Sequence, residues 1–129
     1  NSNQQLIYSL RLMLYPIKEH VDNNFNPLPT EYINEFMPIR QKINDLMKMS
    51  CEQIETSRYE NYREILAEAD ACKDELSVLR KKHIDRLQNM KDNTLMQISL
   101  VYLNVLQESQ EFLSVMRHQL RAAKKFMEN

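Results

Sequence analysis

Glycine is missing from all 129 residues of this chain, where average usage would supply about nine. Glycine is the default residue for left-handed backbone positions, tight turns and phosphate-cradling loops. Its absence excludes the P-loop, the dinucleotide-binding fingerprint and the glycine-built nucleophile elbow. Proline is sparse as well: Pro16, Pro27, Pro29 and Pro38 are the four present. A chain with so few breakers is expected to be nearly all helix, with few connections.

Other classes fall for similar reasons. The 17 Lys+Arg are matched by 18 Asp+Glu, whereas a dedicated nucleic-acid binder is strongly basic; no nucleic-acid partner is expected. The longest basic run, Arg80-Lys81-Lys82-His83, reads as a solvated helix face. Cys51 and Cys72 lack CxxC spacing, so two free thiols in a reducing compartment are expected rather than a disulfide framework. No signal peptide is recognisable, and no apolar run is long enough to span a bilayer. The longest uncharged segment, Asn93 to Gln107, is interrupted by polar residues and reads as a buried bundle helix. The chain begins at Asn1 without an initiator methionine, and the expectation is an excised piece of a longer protein.

What is present is helical periodicity. Leu6, Leu10, Met13, Ile17 and Val21 recur at three- and four-residue spacing, with Tyr8 and Leu14 widening the stripe, and predict a first helix over about Gln4 to Asp22. Pro16 inside it implies a kink or a restart after Tyr15. Asn23 to Pro29 is the clearest loop. A second helix is expected from Thr30, the candidate N-cap, with Ile33, Phe36, Met37, Ile43, Leu46, Met47 and Ile54 as its stripe. Pro38 interrupts it, so the helix either bends there or starts properly after Met37. Thr56 to Asn61 reads as a tight connection, with Ser57 or Asn61 as cap. A third helix follows over about Tyr62 to Met90, with Ile65, Ala69, Cys72, Leu76, Leu79, His83, Leu87 and Met90 inward and charges outward. Lys91-Asp92-Asn93 is a short turn with Asp92 or Asn93 as cap. The fourth helix, about Thr94 to Met127, carries an apolar arc wide enough for two neighbours and is expected to be central. The eight methionines read as core filler. Short connections force antiparallel neighbours. The predicted fold is therefore all-α, one domain over residues 1–129: an antiparallel up-down bundle of three to four long helices.

Chemistry-bearing residues are few. Gln107-Glu108-Ser109-Gln110-Glu111 breaks the apolar fourth helix. The plain reading is a hydrogen-bonded polar layer that fixes helix register. The sharper one is a carboxylate metal site on Glu108 and Glu111, one turn apart, but no His follows either at the Glu-x-x-His spacing that bundle metal sites use. His20, His83 and His118 fall on different helices. Asp70 and Asp74, with Lys73 between them, read as solvent charge. No Ser/His/Asp or Cys/His constellation can be argued, and neither catalysis nor a cofactor is expected. Arg58, Arg63 and Arg117 are candidate anion contacts. The basic, amphipathic stretch from Arg117 to Phe126 complements the helix dipole, with a membrane-surface contact as the alternative.

The stretch Tyr102 to Leu113 (YLNVLQESQEFL), followed by Arg117 to Phe126 (RHQLRAAKKF), resembles the last helix of PhoU-like domains. More narrowly it is similar to the cytoplasmic C-terminal domain of PiT-type inorganic phosphate transporters of Bacteroides-like bacteria. Arg80 to Leu87 resembles the lysine-rich end of that family's preceding helix, and the Asn23-Asn24 loop and Leu28-Pro29 also fit. The resemblance implies a PhoU-like bundle and a non-catalytic regulatory or structural role at the cytoplasmic face of the bacterial inner membrane. The implied partner is the membrane-embedded transporter portion of the same chain, with homodimerisation as a further contact. PhoU-like proteins often carry an acidic-x-x-x-Asp metal signature. Glu108 fits its first position, but Phe112 occupies the partner's place and cannot ligate a hard ion. A helical adaptor module that binds partner helices, unrelated to transport, is the alternative expectation.

Overall fold

The computed structural model describes residues 2–128, which form four helices and, among the described residues, no strands: α1 (Ser2–Phe25), α2 (Thr30–Thr56), α3 (Tyr62–Gln88) and α4 (Asn93–Glu128). Each packs antiparallel to the next, and α1 and α4 close the ring. Across the centre α2 meets α4, while α1 and α3 stay apart. The expected antiparallel up-down bundle is observed, with four helices, and α4 touches all three others, one more neighbour than its apolar arc implied. At 36 residues α4 is about 54 Å long, against about 40 Å for the 27-residue α2 and α3, so it overhangs them.

The two prolines neither break nor restart a helix. α1 runs through Pro16 and α2 through Pro38. Both residues are exposed, so the carbonyls of Leu12 and Asn34, deprived of their intrahelical donors, face water rather than the core. α2 thus begins at Thr30 and not after Met37. Thr30 is the first helical residue, not the cap. The carbonyl of Pro29 accepts from Tyr32 and Ile33 at 3.0 and 3.1 Å, and no side chain caps this end. α1 continues to Phe25, three residues beyond the predicted end, because Phe25 itself is core.

The other connections follow the sequence more closely. α2 ends on Ser57, the one described residue with positive φ (55°), at a position where glycine is usual. Asn3 of α1 donates to Ser57 Oγ at 2.8 Å, which ties the start of α1 to this end of α2. Asn61 is the N-cap residue of α3 but makes no side-chain cap bond. Asp92 caps α4, its Oδ1 accepting from Leu95 N–H at 3.0 Å.

The core is one cluster drawn from all four helices. In α1 the buried line is Leu10, Leu14, Val21 and Phe25. Met13 and Tyr8, assigned to the stripe from spacing alone, point outward, as does Met37 of α2. In α3 the predicted stripe holds, with His83 inside it. Methionine is not the core filler that its abundance suggested: Met116 alone among the described residues is fully buried, and Leu, Ile and Phe fill the rest. Ser50 and Ser109 are also buried, each returning its hydroxyl to the carbonyl four residues earlier (2.8 and 2.7 Å to Leu46 and Val105). They satisfy themselves locally and let helices approach closely.

Candidate functional site

The most polar buried cluster lies where α2, α3 and α4 meet, near the α4 N-terminus. Tyr32 and Tyr102 stack with ring centres 4.6 Å apart and planes 6° from parallel. The His83 ring meets both edge-on, at 4.9 and 4.7 Å. His83 is fully buried. Its Nε2–H donates to the Ser99 carbonyl at 2.7 Å. A carbonyl only accepts, so this bond fixes the tautomer and leaves Nδ1 as the acceptor facing Arg86 Nη1 at 3.4 Å. Ser99 Oγ and Tyr32 OH share a 2.8 Å hydrogen bond.

Over this aromatic group sits Glu35. Arg86 grips its carboxylate with two guanidinium nitrogens, Lys82 Nζ donates at 2.9 Å, and Tyr102 OH donates at 3.2 Å. Arg86 also lies over the Tyr32 ring at 5.4 Å and near Glu31 at 3.7 Å. The Glu35 side chain is only 15% exposed. Burial alone would raise its pKa, but the hydrogen bonds from Arg86 and Lys82 outweigh it and hold the carboxyl at about 2. The Tyr102 hydroxyl is pushed well above the ordinary phenol range, by burial first and the Glu35 charge second. His83 is held below the ordinary imidazole range, mainly by burial and further by Arg86, against the opposing bond to Ser99. The hydrogen bonds of Glu35 to Arg86 and Tyr102, of Tyr32 to Ser99 and of His83 to Ser99 join three helices.

Sequence reasoning missed Glu35, Arg86 and Tyr32. A signal for them exists: Glu31 and Glu35 are four apart on α2, and Lys82 and Arg86 are four apart on α3. Two such doublets of opposite sign on adjacent helices point to a cross-helix ion-pair ladder. Of the run Arg80-Lys81-Lys82-His83, Lys81 and Lys82 are exposed as expected, and Arg80 and His83 are not. His83 is core, Lys82 holds Glu35, and Arg80 Nη1 donates to Gln110 Oε1 at 2.9 Å.

Glu108 and Glu111 lie elsewhere, on the α1 side of α4. Glu108 Oε2 accepts from His20 Nδ1 at 2.5 Å, and Glu111 is exposed. Both line an open cleft with Pro16, Ile17 and His20. The structure brings this one histidine to the two carboxylates, but no three potential ligands assemble into a metal-holding group among the described residues. The polar break in α4 does form a register-fixing layer. Gln110 donates to the Lys73 carbonyl (3.0 Å) and Ser77 Oγ (2.8 Å) of α3, Glu108 reaches α1, and Ser109 is buried. His118 is exposed beside an adjoining α1–α4 cleft that shares Ile17 and Glu111 with this one, while His83 lies in the core of α3. Asp70 pairs with Arg117 at 3.1 Å, and Arg117 Nε also donates to the Leu66 carbonyl at 3.4 Å; Asp74 is exposed. Of the three arginines suggested for anions, Arg117 is thus already engaged, and Arg58 and Arg63 are exposed. Cys51 and Cys72 are free thiols, both pushed up in pKa chiefly by burial.

The surface offers one further feature. Tyr8, Leu12 and Tyr15 stand on the outer face of α1, at 63%, 58% and 51% exposure. Between residues 2 and 17 the helix carries a single charge, Arg11. No helix is long and apolar enough to cross a membrane, among the described residues. Set against known protein families, curated proteins and solved structures, the chain matches none of them.

Proposed function

We propose that this chain is a non-catalytic interaction domain, and that it serves as the PhoU-like regulatory or structural domain of a PiT-type inorganic phosphate transporter at the cytoplasmic face of a bacterial inner membrane. The transporter assignment rests on the resemblance of the α4 sequence from Tyr102 to Phe126. The interaction role rests on one observation, the outer face of α1. A helix on the rim of a bundle ordinarily shows water a polar, charged face. Here Tyr8, Leu12 and Tyr15 recur at helical spacing on that face, almost without charge. Such a strip of tyrosine and leucine has the composition of an interface core. Its partner in this reading is the membrane-embedded portion of the same protein.

The buried titratable groups support the reading in a second way. His83 and Glu35 are committed to helix-joining bonds and aromatic packing, which leaves them unsuited to proton transfer with a substrate.

The test begins with the gene upstream of the codon for Asn1. Several apolar stretches of about 20 residues are expected there, followed by altered phosphate uptake when Leu12 and Tyr15 are both replaced by Glu in the full-length protein. A short polar leader would refute the transporter assignment and leave an adaptor module. Normal uptake and normal regulation by the double variant would refute the role of the α1 face.

A further inference from the structure

We propose that two copies of this domain pair through α4, antiparallel about a two-fold axis at His118, with the basic C-terminal turn of each copy docked on the α1–α4 cleft of the other. The outermost line of α4 is exposed and includes Glu111, Ser114, His118, Ala122 and Lys125. Glu111 and Lys125 stand seven residues either side of His118, and Ser114 and Ala122 stand four either side. A two-fold through His118 therefore sets Glu111 of each copy opposite Lys125 of the other, and Ser114 opposite Ala122. The first pairing is charge-complementary, and the second sets small side chains on either side of the two His118 rings, which meet on the axis. Neither Glu111 nor Lys125 has an ion-pair partner among the described residues. Their neighbours are engaged otherwise: Glu108 binds His20, and Lys124 holds Glu128 and lies over Tyr62 at 5.1 Å.

Phe126 supplies the apolar half of the match. It is 59% exposed at the overhanging end of α4. It lies on the same flank as Glu108, Val115 and Gln119, by helical spacing, which is the flank that faces α1. The antiparallel register brings it to the Glu111 end of the other copy's cleft, an open space of about 450 Å³ lined also by Met13, Ile17 and Val115. An acidic-edged apolar cleft and a basic turn with an exposed phenylalanine are thus carried by one chain at matching spacing. That is the self-complementarity an isologous interface requires. The surface is distinct from the Tyr8–Leu12–Tyr15 face.

The experiment is sedimentation-equilibrium analysis of the 129-residue protein and of two charge reversals, Glu111→Lys and Lys125→Glu, with circular dichroism to confirm that these exposed positions leave the fold intact. A reversible dimer is expected for the parent. Each reversal acts twice in a symmetric pair and should raise the dimer Kd about tenfold or more. Mixing the two variants restores both attractions, so an equimolar mixture should form a heterodimer as tight as the parent. Phe126→Ala should weaken the dimer without rescue by mixing. A dimer indifferent to both reversals, or no gain on mixing, would overturn the proposed register. A monomer throughout, whose binding to anionic lipid vesicles disappears in Lys125→Glu, would assign the basic turn to a membrane surface and overturn the pairing altogether.

Discussion

Removing the charge of Glu35 should cost this bundle more than any other single isosteric change at a polar site. In Glu35→Gln the shape is kept, but Arg86 loses its counter-ion and Lys82 and Tyr102 lose an ionised acceptor. The magnitude follows from the carboxyl's own titration. Its pKa falls from 4.5 to about 2 on folding, and about 2.5 units at 1.36 kcal/mol each give about 3 kcal/mol. Mutational experience with half-buried pairs stripped of one partner agrees in order of magnitude. The sign is fixed by linkage. A carboxyl whose folded pKa is depressed contributes fully above its unfolded pKa, and the contribution is lost as pH falls through the folded one. The parent's advantage over Glu35→Gln should therefore be about 3 kcal/mol at pH 7, less than half of that at pH 3 and nearly gone at pH 2. For a domain of 129 residues the neutral-pH loss corresponds to a melting-point drop of about 10 °C. Urea unfolding of both proteins at these pH values, followed by circular dichroism, reads the gap directly. A gap below 1 kcal/mol at pH 7, or one that stays constant down to pH 3, would refute the assignment of Glu35 as an ionised helix tie.

Two further outcomes are expected. His83 is buried neutral with its pKa depressed, so its contribution is complete above the unfolded value near 6.5 and is lost progressively as pH falls below it; His83→Leu should remove that slope between pH 7.5 and 5 while costing stability at neutral pH, because the Ser99 carbonyl loses its donor, and a slope unchanged in the variant would reject this role. Asp92→Ala removes the side-chain cap on α4 and should cost about 1 kcal/mol in a urea titration, with a loss below about 0.3 kcal/mol showing that the long helix does not depend on its first turn.

The bundle was legible because its elements differ sharply from their connections. Without glycine, the Asn-Pro segment before Thr30, the polar stretch after Thr56 and Lys91-Asp92 are the few places where the chain can turn, and it turns at each. Boundaries were less legible where tertiary packing overrides a local signal. Phe25 extends α1 because a buried ring against Phe36, 5.1 Å away between centres, outweighs the asparagine-rich loop chemistry beside it. Pro16 and Pro38 look like breaks in one dimension, yet on a solvent face their orphaned carbonyls are hydrated, and the helices persist. The α1 stripe was misassigned at Tyr8 and Met13 for a different reason. Spacing gives periodicity but not which of two apolar faces is the inner one, and α1 has apolar residues on both.

The same ambiguity concealed the polar cluster. Along the chain, Glu35 and Arg86 are 51 residues apart, and each resembles an ordinary surface residue of an amphipathic helix. Only the antiparallel register of α2 and α3 makes them neighbours, and only the aromatic floor of Tyr32, His83 and Tyr102 takes them out of water. That floor also explains why the charges are tolerated. A carboxylate buried among aliphatic side chains would be neutralised or expelled. Here its lone pairs meet two cations and a phenol, and the guanidinium stacks on a ring face. The cluster is therefore specific to this pairing of helices. A slipped register would break the two-nitrogen grip of Arg86 on Glu35 and the Tyr102 hydrogen bond to the same carboxylate. Polar atoms at the α2–α3–α4 junction fix which helix faces which. That leaves the outer faces of α1 and α4, which carry no such internal duty, as the surfaces on which partners can act.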